Sequence, residues 1–435
     1  MAKGMEFDIL VLGSGPAGVV SALGLARLGY RVGVIGQERP FNALEGLSDR
    51  AVDGLRRAGC RHALASLPAP SPRRVVWNGQ ASAANHETLA FRPDLDRALG
   101  RDLEAAGIPY IAARAGQVTE NADGCIVPVD GSGLPPCLNA PFVVEARGRM
   151  APVSRQRHQG PSTVALLNYG RGKPGFSGAM VQSLPYGWAW LGRHPDGHCC
   201  AQVTVDATMA PPRSELADFI RIALEQLQLP DWFIWGDTCH QVARGATLCH
   251  NLEPVSARRL WVGDAALAGD PLSGNGIYLA LSTALVAPAV VNTLLQGDGE
   301  AGSLARRFYR ERVAQAHRQF ALASQGFYGS EQGWASADFW RRRRETPVPQ
   351  AAFSGQPRVE ERPVLEGQRI VPRRVLLSAD HPLGIWHVDG VEVAPLLARL
   401  EAGETPEAPP DLLRWLTRLS RQGMDHGGAG PAAGA

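Results

Sequence analysis

A glycine-rich turn near the start of the chain limits its possible folds more than any other feature. The run GSGPAG, residues 13–18, follows an apolar stretch and precedes a segment with helical apolar spacing. In such a turn the first glycine permits a tight bend, the second lets backbone amides approach a pyrophosphate, and the third lets the helix pack on the strand. Residues 6–36 therefore predict a β-α-β unit that binds a dinucleotide. The predicted contacts are Gly13, Gly15, Pro16, Ala17 and Gly18.

The acidic residue that usually follows the second strand of such a unit is displaced here. It normally binds the adenosine ribose, about 20 residues beyond the glycines. The register places Gly36 at that point, followed by Gln37 and Glu38. We predict that Glu38 or the Gln37 side chain reaches the ribose, and the alternative that neither does stays open.

A second glycine-rich turn, in WVGDAALAGDPLSGNGI at residues 261–277, favours FAD over NAD. An aspartate directly after a strand can accept a hydrogen bond from a flavin ribityl hydroxyl. A helix that begins near residue 275 can direct backbone N–H groups at the flavin pyrimidine edge, where negative charge collects on reduction. A simple NAD dehydrogenase does not need this late turn. The predicted FAD contacts here are Gly263, Asp264, Pro271, Gly274, Asn275 and Gly276.

Four segments, GSGPAG, FRPDLDRAL, EARGR and GDAALAGDPLSGNGI, together resemble the FAD-dependent aromatic-hydroxylase superfamily. Within it, the chain is most similar to the tryptophan-halogenase-like branch, which includes flavoproteins of tryptophylquinone cofactor biogenesis of the quinohemoprotein amine dehydrogenase maturation type. The resemblance implies that Arg92 contacts FAD, that Asp264 holds the ribityl chain and that the 271–276 turn lies along the isoalloxazine. It also places Glu45 near the flavin, although Gly46 replaces a family serine.

The predicted fold class is α/β, a Rossmann-like FAD-binding domain with an inserted antiparallel-sheet substrate domain and a small C-terminal module. Residues 1–150 and 240–325 form the predicted FAD-binding domain. Alternating apolar and polar residues between 163 and 205 predict antiparallel strands within a substrate domain at 151–239. Residues 326–435 begin as a Pro/Arg-rich arm, continue as a small domain and end in a tail of disordered composition.

Lysine usage separates two reactions that this architecture supports. Flavin halogenases carry a tryptophan-x-tryptophan motif like Trp188-Ala-Trp190 and need a lysine between flavin and substrate. The chain has only Lys3 and Lys173, neither at the family position. Arginine is a poor substitute because it stays protonated and is a weak nucleophile. Oxygen insertion is therefore predicted instead of halogenation.

The predicted reaction is hydroxylation of an electron-rich aromatic ring by an FAD-dependent monooxygenase through a flavin C4a-hydroperoxide. The catalytic residues are unknown, and Glu45, Trp188 and His240 are candidates. Tyr186, Trp190 and Trp235 could also line a substrate pocket. No second GxGxxG run both follows a predicted strand and opens a helix, so NAD(P)H bound transiently or a separate reductase supplies the electrons.

We expect the substrate, besides O₂, to be a tryptophan residue of a partner polypeptide, an amine dehydrogenase or oxidase subunit, during quinone cofactor biogenesis. The segment after residue 330, with the arginine run 341–344, favours a macromolecular substrate. A small-molecule aromatic hydroxylase and a flavin reductase of the geranylgeranyl-reductase type remain alternatives.

Composition excludes other classes of function. The formal net charge of +2 predicts no binding to nucleic acid or a membrane surface. Seven cysteines in no metal-binding pattern predict reduced thiols and no metal site. No signal peptide and no apolar run of about 20 residues is evident, so a cytoplasmic protein is expected.

Overall fold

The computed structural model describes residues 6–39, 42–152, 156–233 and 237–424. The chain forms two compact units. The first contains residues 1–288 and 319–348, and the second contains residues 289–318 and 349–435. The predicted pocket residue Trp235 and the predicted disordered tail beyond residue 424 lie outside the described residues.

The first unit begins with a parallel sheet of five strands, in the order β19-β11-β1-β2-β6. Its central strand β1 is buried along its whole length, as expected for a strand covered on both faces. The elements up to residue 159 are β1 (Ile9–Leu12), α1 (Pro16–Arg27), β2 (Val32–Gly36), β3 (Leu44–Leu47), α2 (Asp49–Ala58), α3 (Arg61–Ala65), β4 (Ser71–Trp77), β5 (Gln80–Phe91), α4 (Arg92–Ala105), β6 (Tyr110–Ala112), β7 (Arg114–Ala115), β8 (Thr119–Glu120), β9 (Cys125–Asp130), β10 (Cys137–Ala140), β11 (Phe142–Glu145) and β12 (Arg157–Gln159).

A larger sheet of eight strands completes the first unit, in the order β17-β13-β16-β15-β14-β4-β5-β3. All its pairings are antiparallel except that of β14 with β4. The sheet curls, because its edge strand β3 also lies against β15 and β16. The elements from residue 163 to 345 are β13 (Thr163–Arg171), β14 (Gly178–Leu184), β15 (Gly187–Arg193), β16 (His198–Asp206), α5 (Leu216–Glu225), β17 (Asp237–Gly245), β18 (Cys249–Asn251), β19 (Arg259–Trp261), β20 (Leu267–Ala268), α6 (Gly276–Ala284), α7 (Ala287–Gln296), α8 (Gly299–Ser330) and α9 (Asp338–Glu345).

The second unit packs helices against two short hairpins. Its core is formed by buried leucines and valines of β22, α10 and α11. Thr293 accepts a hydrogen bond from the Ile370 amide at 2.9 Å, and Arg362 pairs with Glu311 at 3.1 Å. These contacts join residues 289–318 to the hairpin formed by β21 and β22. The elements after residue 345 are β21 (Arg358–Glu366), β22 (Arg369–Leu377), β23 (His387–Val388), β24 (Val391–Glu392), α10 (Val393–Glu401) and α11 (Pro410–Met424).

The observed units differ from the predicted domain boundaries in three places. Residues 289–318, which were predicted within the FAD-binding domain, belong to the second unit. Strands β3 to β5, from the predicted FAD-binding part, join the large sheet. Residues 326–348 belong to the first unit and include a helix, whereas an extended arm was predicted. The reason is hydrophobic: Phe339 and Trp340 of α9 are buried with Tyr328 and Trp188 in one aromatic cluster.

One apolar stretch among the described residues, Gly276–Gln296, has the length and hydropathy of a membrane span. However, 61% of it is buried inside the protein. A helix that is apolar on all sides and packed among other elements is typical of the core of a large protein. The stretch is therefore consistent with a soluble protein.

Candidate active site

The glycine turn lies at the carboxyl end of β1, directly before α1. Gly13 has a φ of +115°, and a Cβ there would overlap the carbonyl oxygen of Ala146. A Cβ on Gly18 would overlap the Gly13 carbonyl, so strand and helix are too close for a side chain. A Cβ on Gly15 would meet no atom closer than Nη2 of Arg92, at 3.9 Å. Gly15 therefore borders open space at a helix N-terminus, which is a suitable place for a pyrophosphate.

Arg92 is the first residue of α4 and lies beside this open space. Its side chain donates to Glu45 Oε1 at 3.1 Å and to Asp96 Oδ1 at 2.7 Å. Burial alone would lower the pKa of Arg92, but the charges of Glu45 and Asp96 raise it above its usual value. Arg39 also contacts Asp96, at 3.3 Å. The two arginines and two carboxylates make a charged cluster next to the glycine turn.

The residues predicted to bind the adenosine ribose, Gln37 and Glu38, directly follow β2. Glu38 is exposed, and its charge helps to raise the pKa of Tyr110, after the larger effect of burial. A Cβ on Gly36 would lie 2.6 Å from the hydroxyl of Ser14, so β2 passes close to the glycine turn. Glu38 therefore stands at the correct strand end, and its contact with a ribose stays a prediction.

Gly263, in the second glycine-rich turn, packs directly against Ala17 of the first. It has a φ of +61°, and a Cβ there would lie 2.9 Å from the Ala17 methyl group and 3.6 Å from that of Ala280 on α6. The next residue, Asp264, lies 3.4 Å from Nε of Arg149 and keeps about a third of its side chain exposed (35%). Its recessed position raises the pKa of Asp264. This carboxylate thus faces the crevice at the carboxyl ends of β11 and β19.

The second glycine turn is held by side chains from distant parts of the first unit. Asp270 accepts from the Leu272 amide at 2.9 Å and from the Tyr328 hydroxyl at 3.0 Å, and burial raises the pKa of Asp270. Ser48 is 3.2 Å from Oδ1 of Asn275. Gly274 has a φ of +61°, which favours glycine. Pro271 begins the turn, and α6 begins at Gly276.

These features fit FAD. The two motifs follow β1 and β19, the strands on either side of β11, and the carboxyl ends of parallel strands are where open α/β sheets bind ligands. Open space next to Gly15 suits the pyrophosphate, the Asp264 carboxylate suits a ribityl hydroxyl, and the start of α6 offers N–H groups to the flavin edge. Every predicted cofactor residue except Glu38 lies in the turns and clusters that border this crevice.

The three candidate catalytic residues lie in three different local environments. Glu45 pairs with Arg92 in the charged cluster. Trp188 is 1% exposed in the aromatic cluster, where it packs beside Leu272 of the second turn. His240 is exposed on β17, with its ring centroid 6.4 Å from that of Tyr169. Tyr186 packs against Phe219 on the opposite face of the large sheet from Trp188.

Sequence reasoning missed several polar residues that border the site. Asp96 pairs with Arg92, Arg149 pairs with Asp264, and Arg39 pairs with Asp96. Asp96 could have been found, because it follows Arg92 by four residues on a predicted helix. The others depend on chain segments that meet only in the folded protein.

Comparison with known proteins agrees with this geometry. The FAD binding domain family matches residues 6–163. A solved structure, "Peptidyl tryptophan dihydroxylase QhpG essential for tryptophylquinone cofactor biogenesis", is 40% identical, with a TM-score of 0.84, over 97% of this chain and 100% of that one. The flavin-dependent halogenase CmlS shares the fold at 17% identity, with a TM-score of 0.76 over 97% of this chain and 93% of that one.

Two curated relatives are more distant. Tryptophan 2-halogenase of Chondromyces crocatus is 25% identical over 74% of this chain and 67% of the relative. Digeranylgeranylglycerophospholipid reductase of Methanosphaerula palustris is 24% identical over 71% of this chain and 82% of the relative.

The fold and site define a flavoprotein oxidoreductase, an FAD-dependent monooxygenase. The chain belongs to the family of FAD-dependent monooxygenases that includes QhpG. The predicted α/β fold class, the FAD cofactor and the family resemblance are confirmed.

Proposed function

We propose that this enzyme hydroxylates a tryptophan side chain of a partner polypeptide, an amine dehydrogenase or oxidase subunit, during quinone cofactor biogenesis. The observation that carries the proposal is the 40% identity to QhpG over 97% of the chain, which includes the second unit. The halogenase and reductase relatives have lower identity, and the curated ones match smaller shares of the chain.

The site residues have defined roles in this proposal. FAD supplies the oxygen-activating chemistry when bound. When FAD is bound, the N-terminus of α1 would hold the pyrophosphate, Arg92 would balance its charge and Asp264 would hold the ribityl chain. The turn from Pro271 to Gly276 would hold the flavin ring. Asp270 and Tyr328 fix that turn, because their hydrogen bond joins it to α8.

Exposed aromatic residues in the late part of the first unit support a polypeptide substrate. Phe327 is 50% exposed and Trp334 is 39% exposed, close to each other along the chain. Tryptophan is enriched among the residues that dominate protein–protein binding energy. The arginine run is less suited to this role than the sequence suggested, because Arg343 is buried. We therefore assign partner docking to the surface around Phe327 and Trp334.

The decisive experiment uses the full-length enzyme with FAD, a source of electrons, O₂ and candidate partner polypeptides. The expected product is the partner with the added mass of one or two oxygen atoms, located on a tryptophan by peptide fragmentation. A partner variant with that tryptophan replaced by phenylalanine is the control and should gain no oxygen there. Equal turnover of free tryptophan or a small phenol would favour a small-molecule hydroxylase, and reduction of an isoprenoid double bond would favour the reductase alternative.

Docking can be tested separately. Trp334→Ser should raise KM for the polypeptide about tenfold, as expected for the loss of an interface tryptophan, and leave kcat nearly unchanged. Met209→Ser, at another exposed apolar residue (44% exposed), is the matched control. Equal KM values for the two variants would remove Trp334 from the docking surface.

The electron source remains a choice between NAD(P)H and a separate reductase. Anaerobic mixing of the FAD-loaded enzyme with NADH or NADPH distinguishes them. Bleaching of the flavin absorbance would establish direct reduction. No bleaching with either nucleotide, followed by bleaching when a flavin reductase is added, would establish a separate reductase.

A further inference from the structure

A buried carboxyl group lies inside the curl of the large sheet and has no role in the FAD-binding cluster. Glu87 of β5 is 6% exposed and accepts a hydrogen bond from Nε1 of Trp190, on β15, at 3.1 Å. A Cβ on Gly46 of β3 would overlap the other carboxylate oxygen of Glu87. The glycine that replaces the family serine thus makes room for this carboxyl group.

Arg73 of β4 connects Glu87 to the second flavin turn. Its Nη1 would lie 3.7 Å from a Cβ on Gly274, so the guanidinium reaches the turn. Its Nε is buried and has no hydrogen-bond partner among the residues that the structure describes. Burial raises the pKa of Glu87, while the positive charge of Arg73 opposes that rise. The Arg73 guanidinium therefore reaches the turn and also acts electrostatically on the buried carboxyl group of Glu87.

The charges of Arg73 and Glu87 can affect how easily bound FAD is reduced. Reduction places negative charge on the flavin ring, and groups near the ring tune its electronic properties. A fixed cation at the turn stabilises the reduced form more than the oxidised form. An ionised carboxylate beside that cation weakens the effect, whereas a protonated carboxyl leaves the cation uncompensated.

We propose that Arg73 is a flavin-contacting residue that stabilises reduced FAD, and that Glu87 controls the strength of this stabilisation through its own protonation. The neighbouring arginine, Arg74, provides a matched comparison. It pairs with Met180 in the β4–β14 register, and Met180 belongs to the core on the other face of the sheet.

The first experiment measures the midpoint potential of bound FAD by spectroelectrochemistry and the affinity for oxidised FAD by titration. Arg73→Gln should bind oxidised FAD within about threefold of wild type but lose about tenfold in relative affinity for reduced FAD. By linkage, this equals a midpoint potential about 30 mV more negative for a two-electron couple. Arg73→Lys should recover part of the shift, and Arg74→Gln should keep the wild-type potential.

Two outcomes would overturn the assignment of Arg73. One is an unchanged midpoint potential in Arg73→Gln. The other is an equal loss of affinity for oxidised and reduced FAD, which would indicate a structural role.

Glu87→Gln provides the second experiment and does not depend on the folding of the Arg73 variants. Glutamine keeps an acceptor for Trp190 but cannot ionise. Arg73 is the charged group that acts on Glu87. The midpoint potentials of wild type and Glu87→Gln should agree at low pH, and the variant should become more positive than wild type as pH rises and Glu87 ionises. A difference that is constant at all pH values, or absent throughout, would contradict control by Glu87.

Discussion

The glycines of the first turn are required for different reasons, cofactor access at Gly15 and backbone packing at Gly18. Substitutions at the two positions should therefore have different effects. A side chain at Gly15 enters open space, whereas one at Gly18 overlaps the Gly13 carbonyl. We expect Gly15→Val to fold with nearly the wild-type melting temperature and to lose FAD binding. Gly18→Val should be destabilised by about 1–3 kcal/mol, the usual cost of overpacking.

Thermal unfolding without cofactor and FAD titration by absorbance check both variants. Normal FAD affinity in a folded Gly15→Val would show that the pyrophosphate does not approach this glycine. Equal stability of the two variants would contradict the close packing at Gly18.

Among individual residues, the sequence predicted those that belong to contiguous motifs. Asp264 and the 271–276 turn have the strand-end and turn positions that the sequence predicted, because these conformations are local properties of the chain, and their contacts with FAD stay a prediction. Arg73 and Glu87 were not predicted, because their positions depend on the curl of the sheet, which no local pattern encodes. The predicted catalytic candidate His240 stands apart on an exposed strand surface.

Helix α9 shows that a charged run can be part of the core. Arg343 donates to the Thr163 hydroxyl at 2.6 Å and lies 3.7 Å above the Phe339 ring, whereas Arg341 is 48% exposed. We expect Arg343→Ala to lower the free energy of unfolding by about 3 kcal/mol, because the change removes a buried charge from its partners. Arg341→Ala should change it by less than about 0.5 kcal/mol. Urea unfolding measures both values, and similar losses would contradict the structural role of Arg343.

The turn between β15 and β16 contains a pH-sensitive carboxylate. Burial opposes ionisation of Asp196, but hydrogen bonds from His198 and His194 outweigh it and lower the pKa of Asp196 to about 2. Because the pKa in the folded state is depressed, Asp196 stabilises the fold above its unfolded pKa of about 3.9. This contribution is lost as pH falls from there towards 2.

We therefore expect Asp196→Asn to be about 1 kcal/mol less stable than wild type at neutral pH, a value reduced for the 36% exposure of the side chain. The difference should disappear near pH 2. Urea unfolding at several pH values tests this, and a difference that persists at low pH would indicate lost packing instead of lost charge.

Element types were predicted better than element partners. The helix at 91–107 and the strands between 163 and 205 have strong periodic patterns, and the structure contains α4 and β13 to β16 there. The recruitment of β3 to β5 into the large sheet was missed, because it depends on the parallel pairing of β4 with β14, and pairing over so long a sequence separation leaves no periodic signal. The segment at 326–348 was missed because its few apolar residues are concentrated in one short helix.

The described residues contain one apolar stretch that is long enough to span a membrane. The Gly276–Gln296 stretch is mostly buried, and the formal net charge is +2. We expect the protein to remain in the supernatant after ultracentrifugation without detergent. Recovery in the membrane fraction that resists a high-salt wash would contradict this, since salt removes proteins held only by charge.

The order of residues in the first unit has a consequence for synthesis on the ribosome. The aromatic cluster that covers Trp188 needs Phe339 and Trp340, yet residues 289–318 of the other unit are translated in between. At about 5–20 residues per second, several seconds separate residue 288 from residue 348. During that interval a nascent chain exposes an unfinished apolar surface. Chaperone dependence and sensitivity to slowed translation are therefore expected of this chain.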